Sequence, residues 1–246
     1  PDLWTSSGKF TDATRLSVTN PQQSQYIWGT VEHVSWTSFD GGTLRGLLYK
    51  PENFDASKKY PMIVYFYEKY SQDLHSHYAP TPSRSVINFT YYNSNGFLVF
   101  IPDINYRTGE PGRSAYDDII SGTLEMTKKP FVDASRLGLQ GQSWGGYQVA
   151  FLVTQTGMFK AAMAGAPVSN MTSAYGGIRW ESGMVRQFQY EHGQSRLGAN
   201  LWENRNLYIE NSPVFYANRI TTPLLIMSND NDGAVPYYQG IEMVTA

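Results

Sequence analysis

The sequence contains no cysteine. That absence excludes a disulfide framework, a thiolate zinc site and a cysteine nucleophile together. Charge is sparse and nearly balanced: 19 Lys and Arg face 21 Asp and Glu among 246 residues, a formal net charge of −2. Such a balance gives no electrostatic reason to bind nucleic acid or an anionic membrane. Long apolar runs are missing too; the longest, such as 96–101 and 224–227, are far too short to cross a bilayer. The chain opens on Pro1 with no basic-then-apolar leader behind it, and reads as a processed or excised piece of something longer. What is present is 41% hydrophobic residues and 15% aromatics. A chain of this length makes one large or two small domains and buries roughly 70–75% of its unfolded surface.

No repeat or low-complexity tract interrupts it. Residues 1–30 are polar and rich in Ser, Thr and Gln, and are expected to be a linker or the remnant of a preceding module. From Val31 the pattern sharpens. Val34 and Trp36 alternate with polar neighbours, Asp40-Gly41-Gly42 signals a turn, and Leu44, Leu47, Leu48 and Tyr49 follow, which together predict a β-hairpin. Short buried-strand runs come next at 62–67, 97–101, 137–139, 161–166 and 224–227, with helical patterns between them. One helix is expected to open on Ser114 as its cap. Asp117 and Asp118 would lie in its first turn, Tyr116, Ile119, Ile120 and Leu124 would share a face, and Lys128-Lys129-Pro130 would end it. Alternating strands and helices imply an α/β fold, a mostly parallel sheet covered on both faces. The aromatic, Gly- and Asn-rich stretch 169–212 breaks that rhythm and reads as an insertion capping the working edge of the sheet.

The strongest chemical signal is Gly141-Gln142-Ser143-Trp144-Gly145-Gly146-Tyr147, set between a strand run and a helical run. G-x-S-x-G in that context is a nucleophile elbow. A serine at such a tip is held in strained backbone, and side chains at Gly141 or Gly145 would collide with neighbouring elements. The helix start behind Ser143 supplies partial positive charge, and the Trp144 N–H lies where an oxyanion would form. The alternative is a Gly-rich turn with a bystander serine. A serine nucleophile needs a base and the base an orienting acid, in the chain order Ser, acid, His for this kind of elbow. The acid candidate is Asp232, delivered by the strand run 224–227 in Asp230-Asn231-Asp232-Gly233-Ala234. The same stretch mimics a calcium loop, but Ser228 and Gln239 stand where that loop needs Asp and Glu. All four histidines, His33, His75, His77 and His192, precede Asp232. His192, in the insertion, could approach the site, but the chain order argues against it, and the base is therefore expected beyond Ala246.

At these residues the sequence resembles the catalytic domain of the prolyl oligopeptidase family, nearest its dipeptidyl-peptidase IV-like branch. Three ordered blocks carry the likeness over 31–246: Lys58-Lys59-Tyr60-Pro61 leading to Tyr67, the elbow 141–147, and Asn211-Ser212-Pro213 through Asp232-Gly233-Ala234-Val235-Pro236. The resemblance implies an α/β-hydrolase fold, incomplete at its carboxyl end, and a cofactor-free serine peptidase acting on short peptides. It implies a β-propeller before residue 31 as partner module, and a homodimer is compatible with it. On matching positions Ser143 is the nucleophile, Asp232 the orienting acid, Gly141, Gly145 and Gly146 the elbow glycines, and the Trp144 N–H and the Tyr67 hydroxyl the oxyanion donors. No metal is implied. A phenol at a strand end can donate into a site, which supports Tyr67 on chemical grounds, although a strand-end aromatic needs no such role.

Departures from the branch are specific. Glu68-Lys69-Tyr70 replaces a small turn after the tyrosine, Ala234 replaces an amide side chain, and Met227-Ser228 replaces His-Gly. These put dipeptidyl and proline preference in doubt and leave acyl transfer untouched. Tyr175, Trp180 and Phe188 suit either a pocket wall or ordinary core. An esterase or deacylase on the same fold, and a non-catalytic hydrolase-fold module, are the alternatives. Lack of cysteine with abundant Tyr, Asn and Gln favours an exported bacterial protein, although family members also occur in the cytosol.

Overall fold

The computed structural model describes residues 2–78, 81–83 and 86–246. Residues 2–30 bury no side chain and form only the two-residue strands β1 (Trp4–Thr5) and β2 (Thr14–Arg15) and a 3-10 turn at Pro21–Gln25. The apolar residues of this segment form no core of their own. The expected hairpin is β3 (Thr30–Thr37) and β4 (Thr43–Lys50), in register from Thr30↔Lys50 to Thr37↔Thr43. Beyond it the buried runs become β5 (Tyr60–Tyr65), β6 (Leu98–Pro102), β7 (Val132–Gln142), β8 (Ala161–Gly165) and β9 (Leu224–Met227). The seven-stranded sheet runs β3-β4-β6-β5-β7-β8-β9, antiparallel through β3, β4 and β6 and parallel from β6 to β9.

Helices cover both faces. Under α2 (Pro111–Thr127) and α3 (Trp144–Gln155), the side chains of Met62, Val64, Phe100, Leu139 and Ala164 pack against Ile119, Val149 and Leu152. On the reverse face Leu47, Tyr65, Val99 and Ile101 pack beneath Phe89 of α1 (Phe89–Ser94). Each fully buried aliphatic or aromatic side chain contributes about 1.5–3 kcal/mol, so these two layers supply the main favourable term in folding.

The helix expected to be capped by Ser114 begins earlier. Pro111, whose fixed φ suits a first turn, starts α2, and Ser114 sits fully buried within it. Its hydroxyl donates to the Glu110 carbonyl at 2.7 Å and accepts the Arg107 N–H at 3.0 Å. Asp117 and Asp118 consequently fall in the second turn, where Asp117 pairs with Arg107 and Arg113 and Asp118 accepts from Ser38 at 2.6 Å. Burial holds the Asp118 carboxyl above the usual carboxylate range. Leu124 leaves the apolar face it was expected to share and is 43% exposed.

The stretch 169–212 forms a cap with its own core. It folds into the short helices α4 (Met171–Tyr175), α5 (Gln187–Glu191) and α6 (Arg205–Glu210). Their Met171, Tyr175, Tyr190 and Tyr208 cluster with Trp144, Tyr147 and Val235 above the carboxyl ends of the strands. The last helix, α7 (Tyr238–Thr245), packs beside β9.

Candidate active site

The chain leaves β5 for β6 on one side and comes back to β7 on the other. The crevice between the carboxyl ends of β5 and β7 is thus a topological switch point, where open parallel sheets bind ligands. Two of the candidate residues flank it: Tyr67 lies two residues past β5, and Ser143 immediately follows β7.

Ser143 adopts φ 59° and ψ −116°, a region nearly closed to residues with a Cβ. Its N–H donates to the Gly165 carbonyl at 2.8 Å and its carbonyl accepts the Tyr147 N–H at 3.0 Å, so the strained turn is pinned at both ends. The Ser143 hydroxyl makes no hydrogen bond among the described residues and is half-buried. The elbow glycines are required by space. A Cβ on Gly145 would lie 2.7 Å from the Phe66 carbonyl oxygen, one on Gly141 would fall on the Gly145 carbonyl, and one on Gly146 on the Gly165 carbonyl. Three close approaches press the start of α3 against β5, β7 and β8. The Trp144 N–H belongs to the first turn of α3, where amides have no intrahelical acceptor and the helix dipole is positive. The Trp144 ring stacks on Tyr147 at 4.4 Å and its indole N–H donates to the Tyr106 hydroxyl at 3.0 Å.

Asp232 ends the turn after β9. Its Oδ1 accepts the Ala234 and Val235 N–H groups at 2.8 and 3.0 Å, while Oδ2 accepts nothing among the described residues. One oxygen fixes the carboxylate and the other stays open. The elbow and the acid turn stand at the ends of β7 and β9 with β8 between them, two inter-strand spacings or about 10 Å apart along the sheet. A cleft of about 1030 Å³ opens there, lined by Gln142, Ala166, Trp180, Met227, Asp232 and Ala234 among others.

Tyr67 is held at both polar ends. Its carbonyl accepts from Gln148 Nε2 at 3.0 Å and from the Tyr106 hydroxyl at 3.3 Å, and its phenol oxygen accepts from Gln194 Nε2 at 2.9 Å. Burial pushes the Tyr106 phenol far above its ordinary value, so it stays a neutral donor.

No sequence pattern marked Gln148, Tyr106 or Gln194, which reach Tyr67 from 81, 39 and 127 residues away. Arg186 was missed as well. It is 2% exposed, ion-pairs with no carboxylate among the described residues, and donates to the Ala234 carbonyl in the acid turn. Its N–H bonds Gly177 at 3.2 Å, and Glu181 N–H bonds Gly233 at 3.2 Å, so the cap segment 177–186 grips that turn.

None of the four histidines bonds to Asp232 among the described residues. His33 bonds the Ser71 carbonyl at 2.7 Å from the outer strand β3, His77 packs against Trp28, and His192 faces solvent beside Glu191. His75 lies exposed in the loop after a 3-10 turn at Ser71–Asp73. Of the aromatic residues that suited wall or core, Tyr175 is core, Trp180 lines the cleft and Phe188 is half-exposed.

Residues 83–246 match the family model for the prolyl oligopeptidase family, Peptidase S9. The uncharacterized peptidase YuxL of Bacillus subtilis is 27% identical over 220 residues, covering 87% of this chain and 32% of its own length. Dipeptidyl-peptidase 5 of Porphyromonas gingivalis is 26% identical over 219 residues, covering 78% of this chain and 28% of that protein. Among solved structures, an acylaminoacyl peptidase from Pyrococcus horikoshii superposes with a TM-score of 0.76 at 22% identity, over 99% of this chain and 38% of that one. A putative dipeptidyl aminopeptidase IV from Bacteroides ovatus superposes at 0.74 with 23% identity, over 96% of this chain and 33% of that one. The fold is thus that of α/β-hydrolase peptidases, and the chain spans about a third of the length of these relatives.

Proposed function

The chain belongs to the prolyl oligopeptidase family, and from that premise we propose that it is the hydrolase module of a serine peptidase that cleaves short peptides by acyl transfer. The observation that carries this reading is the backbone of Ser143, held at φ 59° in the first position before α3 with its hydroxyl uncommitted. Ser143 Oγ attacks the scissile carbonyl carbon, and the carbonyl oxygen becomes an oxyanion held by the Trp144 N–H and the Tyr67 hydroxyl. A histidine takes the serine proton and returns it to the leaving amine. Asp232 Oδ2 accepts the other imidazole N–H and fixes its tautomer. Because none of the four histidines bonds to Asp232 among the described residues, we assign the base to a residue outside these 246.

The uncovered sheet edge agrees with further polypeptide packing there: on one face of β9 Leu225 and Met227 are 65% and 43% exposed, and on α7 Ile241 and Val244 are 50% and 69% exposed. At the other end, Leu3, Trp4, Phe10 and Leu16 stand exposed on residues 2–30. Apolar side chains in that number suit a contact with a preceding module, for which a β-propeller is the family's form. Short peptides would then be the substrates that pass it.

The test compares two proteins on a panel of peptide anilides. A longer natural polypeptide carrying these residues hydrolyses them, and Ser143→Ala abolishes the reaction. The 246-residue chain turns over slower by a factor of about 10⁴–10⁶, the cost of losing the base. Ser143-dependent turnover at full rate by the 246-residue chain would remove the external histidine from the mechanism. Absence of hydrolysis in the longer protein would remove the peptidase reading itself.

A further inference from the structure

We propose that Gln194 is a positioning residue of the oxyanion site: its side-chain amide donates to the Tyr67 phenol oxygen and thereby leaves the phenol proton free to meet the developing oxyanion. This rests on the peptidase reading above. A phenol carries one donor and accepts through its lone pairs. Here the oxygen accepts from Gln194 Nε2 at 2.9 Å, and Tyr67 donates to no group among the described residues. A tyrosine bonded the other way, to a carbonyl or carboxylate, would have its proton committed before substrate arrives. Gln194 holds the ring from the acceptor side only.

The backbone that carries this amide is in turn held within the cap. The Gln194 main-chain carbonyl accepts from Arg196 Nη1 at 2.6 Å, and Arg196 Nη2 pairs with Glu68, the residue next to Tyr67, at 2.5 Å. The Arg196 guanidinium lies 4.6 Å over the Tyr106 ring. Arg196 adopts φ 52°, and its carbonyl accepts the Gly109 N–H at 2.7 Å. On either side, Ser195 and Leu197 are buried, with N–H bonds to Gln189 and Tyr190 at 3.1 and 2.8 Å. A loop fastened at that many points presents one side chain at one place. The cap therefore grasps the Tyr67-Glu68 segment twice, by the neutral amide on the phenol and by the ion pair on Glu68. This also gives a use to Glu68, which stands where the related branch has a small turn residue.

The experiment uses the longer active polypeptide with Gln194→Ala, Gln194→Glu and Tyr67→Phe, singly and combined, after thermal melts show that each folds. Loss of the Tyr67 donor lowers kcat by about 10²–10³. Gln194→Ala lowers kcat roughly 10-fold with KM nearly unchanged, the scale of one hydrogen bond. Gln194→Glu, although closer in shape, lowers kcat further, toward the Tyr67→Phe level, because a carboxylate accepts the phenol proton. Neither Gln194 change lowers kcat further on the Tyr67→Phe background. Equal losses in both backgrounds, or a Glu variant more active than the Ala variant, would assign Gln194 a merely structural role and overturn the proposal. Full activity in Tyr67→Phe, in an enzyme that Ser143→Ala inactivates, also overturns it while sparing the peptidase reading. Failure of Ser143→Ala to inactivate overturns both.

Discussion

Replacing Ser143 with glycine should stabilise the fold while removing the nucleophile. At φ 59° and ψ −116° a residue with a Cβ pays roughly 1–3 kcal/mol of conformational strain, and glycine pays almost none. Glycine also gives the unfolded chain more freedom, which takes back about 0.5–1 kcal/mol. The lost hydroxyl subtracts nothing further, since it makes no hydrogen bond among the described residues. The net expectation is a gain centred on about 1 kcal/mol and at most about 2.5 kcal/mol, the central value being roughly 2–4 °C in melting midpoint for a chain of this length. Ser143→Ala is the control, because it deletes the same hydroxyl but keeps the Cβ and the strain, and it should melt with the parent protein. Urea unfolding of the three proteins followed by circular dichroism measures both differences. If the alanine variant is as stable as the glycine variant, the elbow stores no strain and the argument from its backbone is wrong.

Two further outcomes follow from the same geometry. Asp232→Asn keeps an oxygen able to accept the Ala234 and Val235 N–H groups, so stability should change little. In the longer active protein kcat should still fall about 10⁴-fold, because an amide cannot orient the imidazole as the carboxylate does; steady-state kinetics beside a thermal melt separates the two effects. Tyr49 has a buried hydroxyl with no partner among the described residues, and burial, helped by the Asp73 charge, pushes its phenol up to about 12. The unfolded phenol ionises near 10, so its contribution to stability is present in full below pH 10 and is lost as pH rises from 10 to 12. Tyr49→Phe should fold at least as stably at pH 7 and lose less stability over that alkaline window, as pH-dependent unfolding would record.

Where sequence and structure agree, the cause is local. β9 falls where its apolar run predicts, and the β3–β4 hairpin forms about Asp40-Gly41-Gly42, because strand alternation and turn chemistry act over a few neighbouring residues. The elbow is legible for the same reason, since a backbone that tight tolerates only glycine at three positions. Ser114 misled because a serine before an acidic pair resembles a cap, whereas Pro111 three residues earlier had already set the helix start. Leu124 misled because helical periodicity names a face without saying how far the packed neighbour extends. Nothing local marks Gln194, Gln148, Tyr106 or Arg186, whose importance lies in partners across the fold.

The sequence by itself determined the α/β class by periodicity and the elbow by steric constraint, both written within a dozen residues, named Ser143 and Asp232 as candidates, and showed the family by its likeness over three ordered blocks. Only the tertiary structure decided which atoms those candidates face. It left the Ser143 hydroxyl and Asp232 Oδ2 uncommitted, set the elbow and the acid turn two strands apart, and turned the cap so that one amide meets the Tyr67 phenol. Those facts depend on strand order and loop packing, and directional hydrogen bonds between distant segments exist only once the chain has closed.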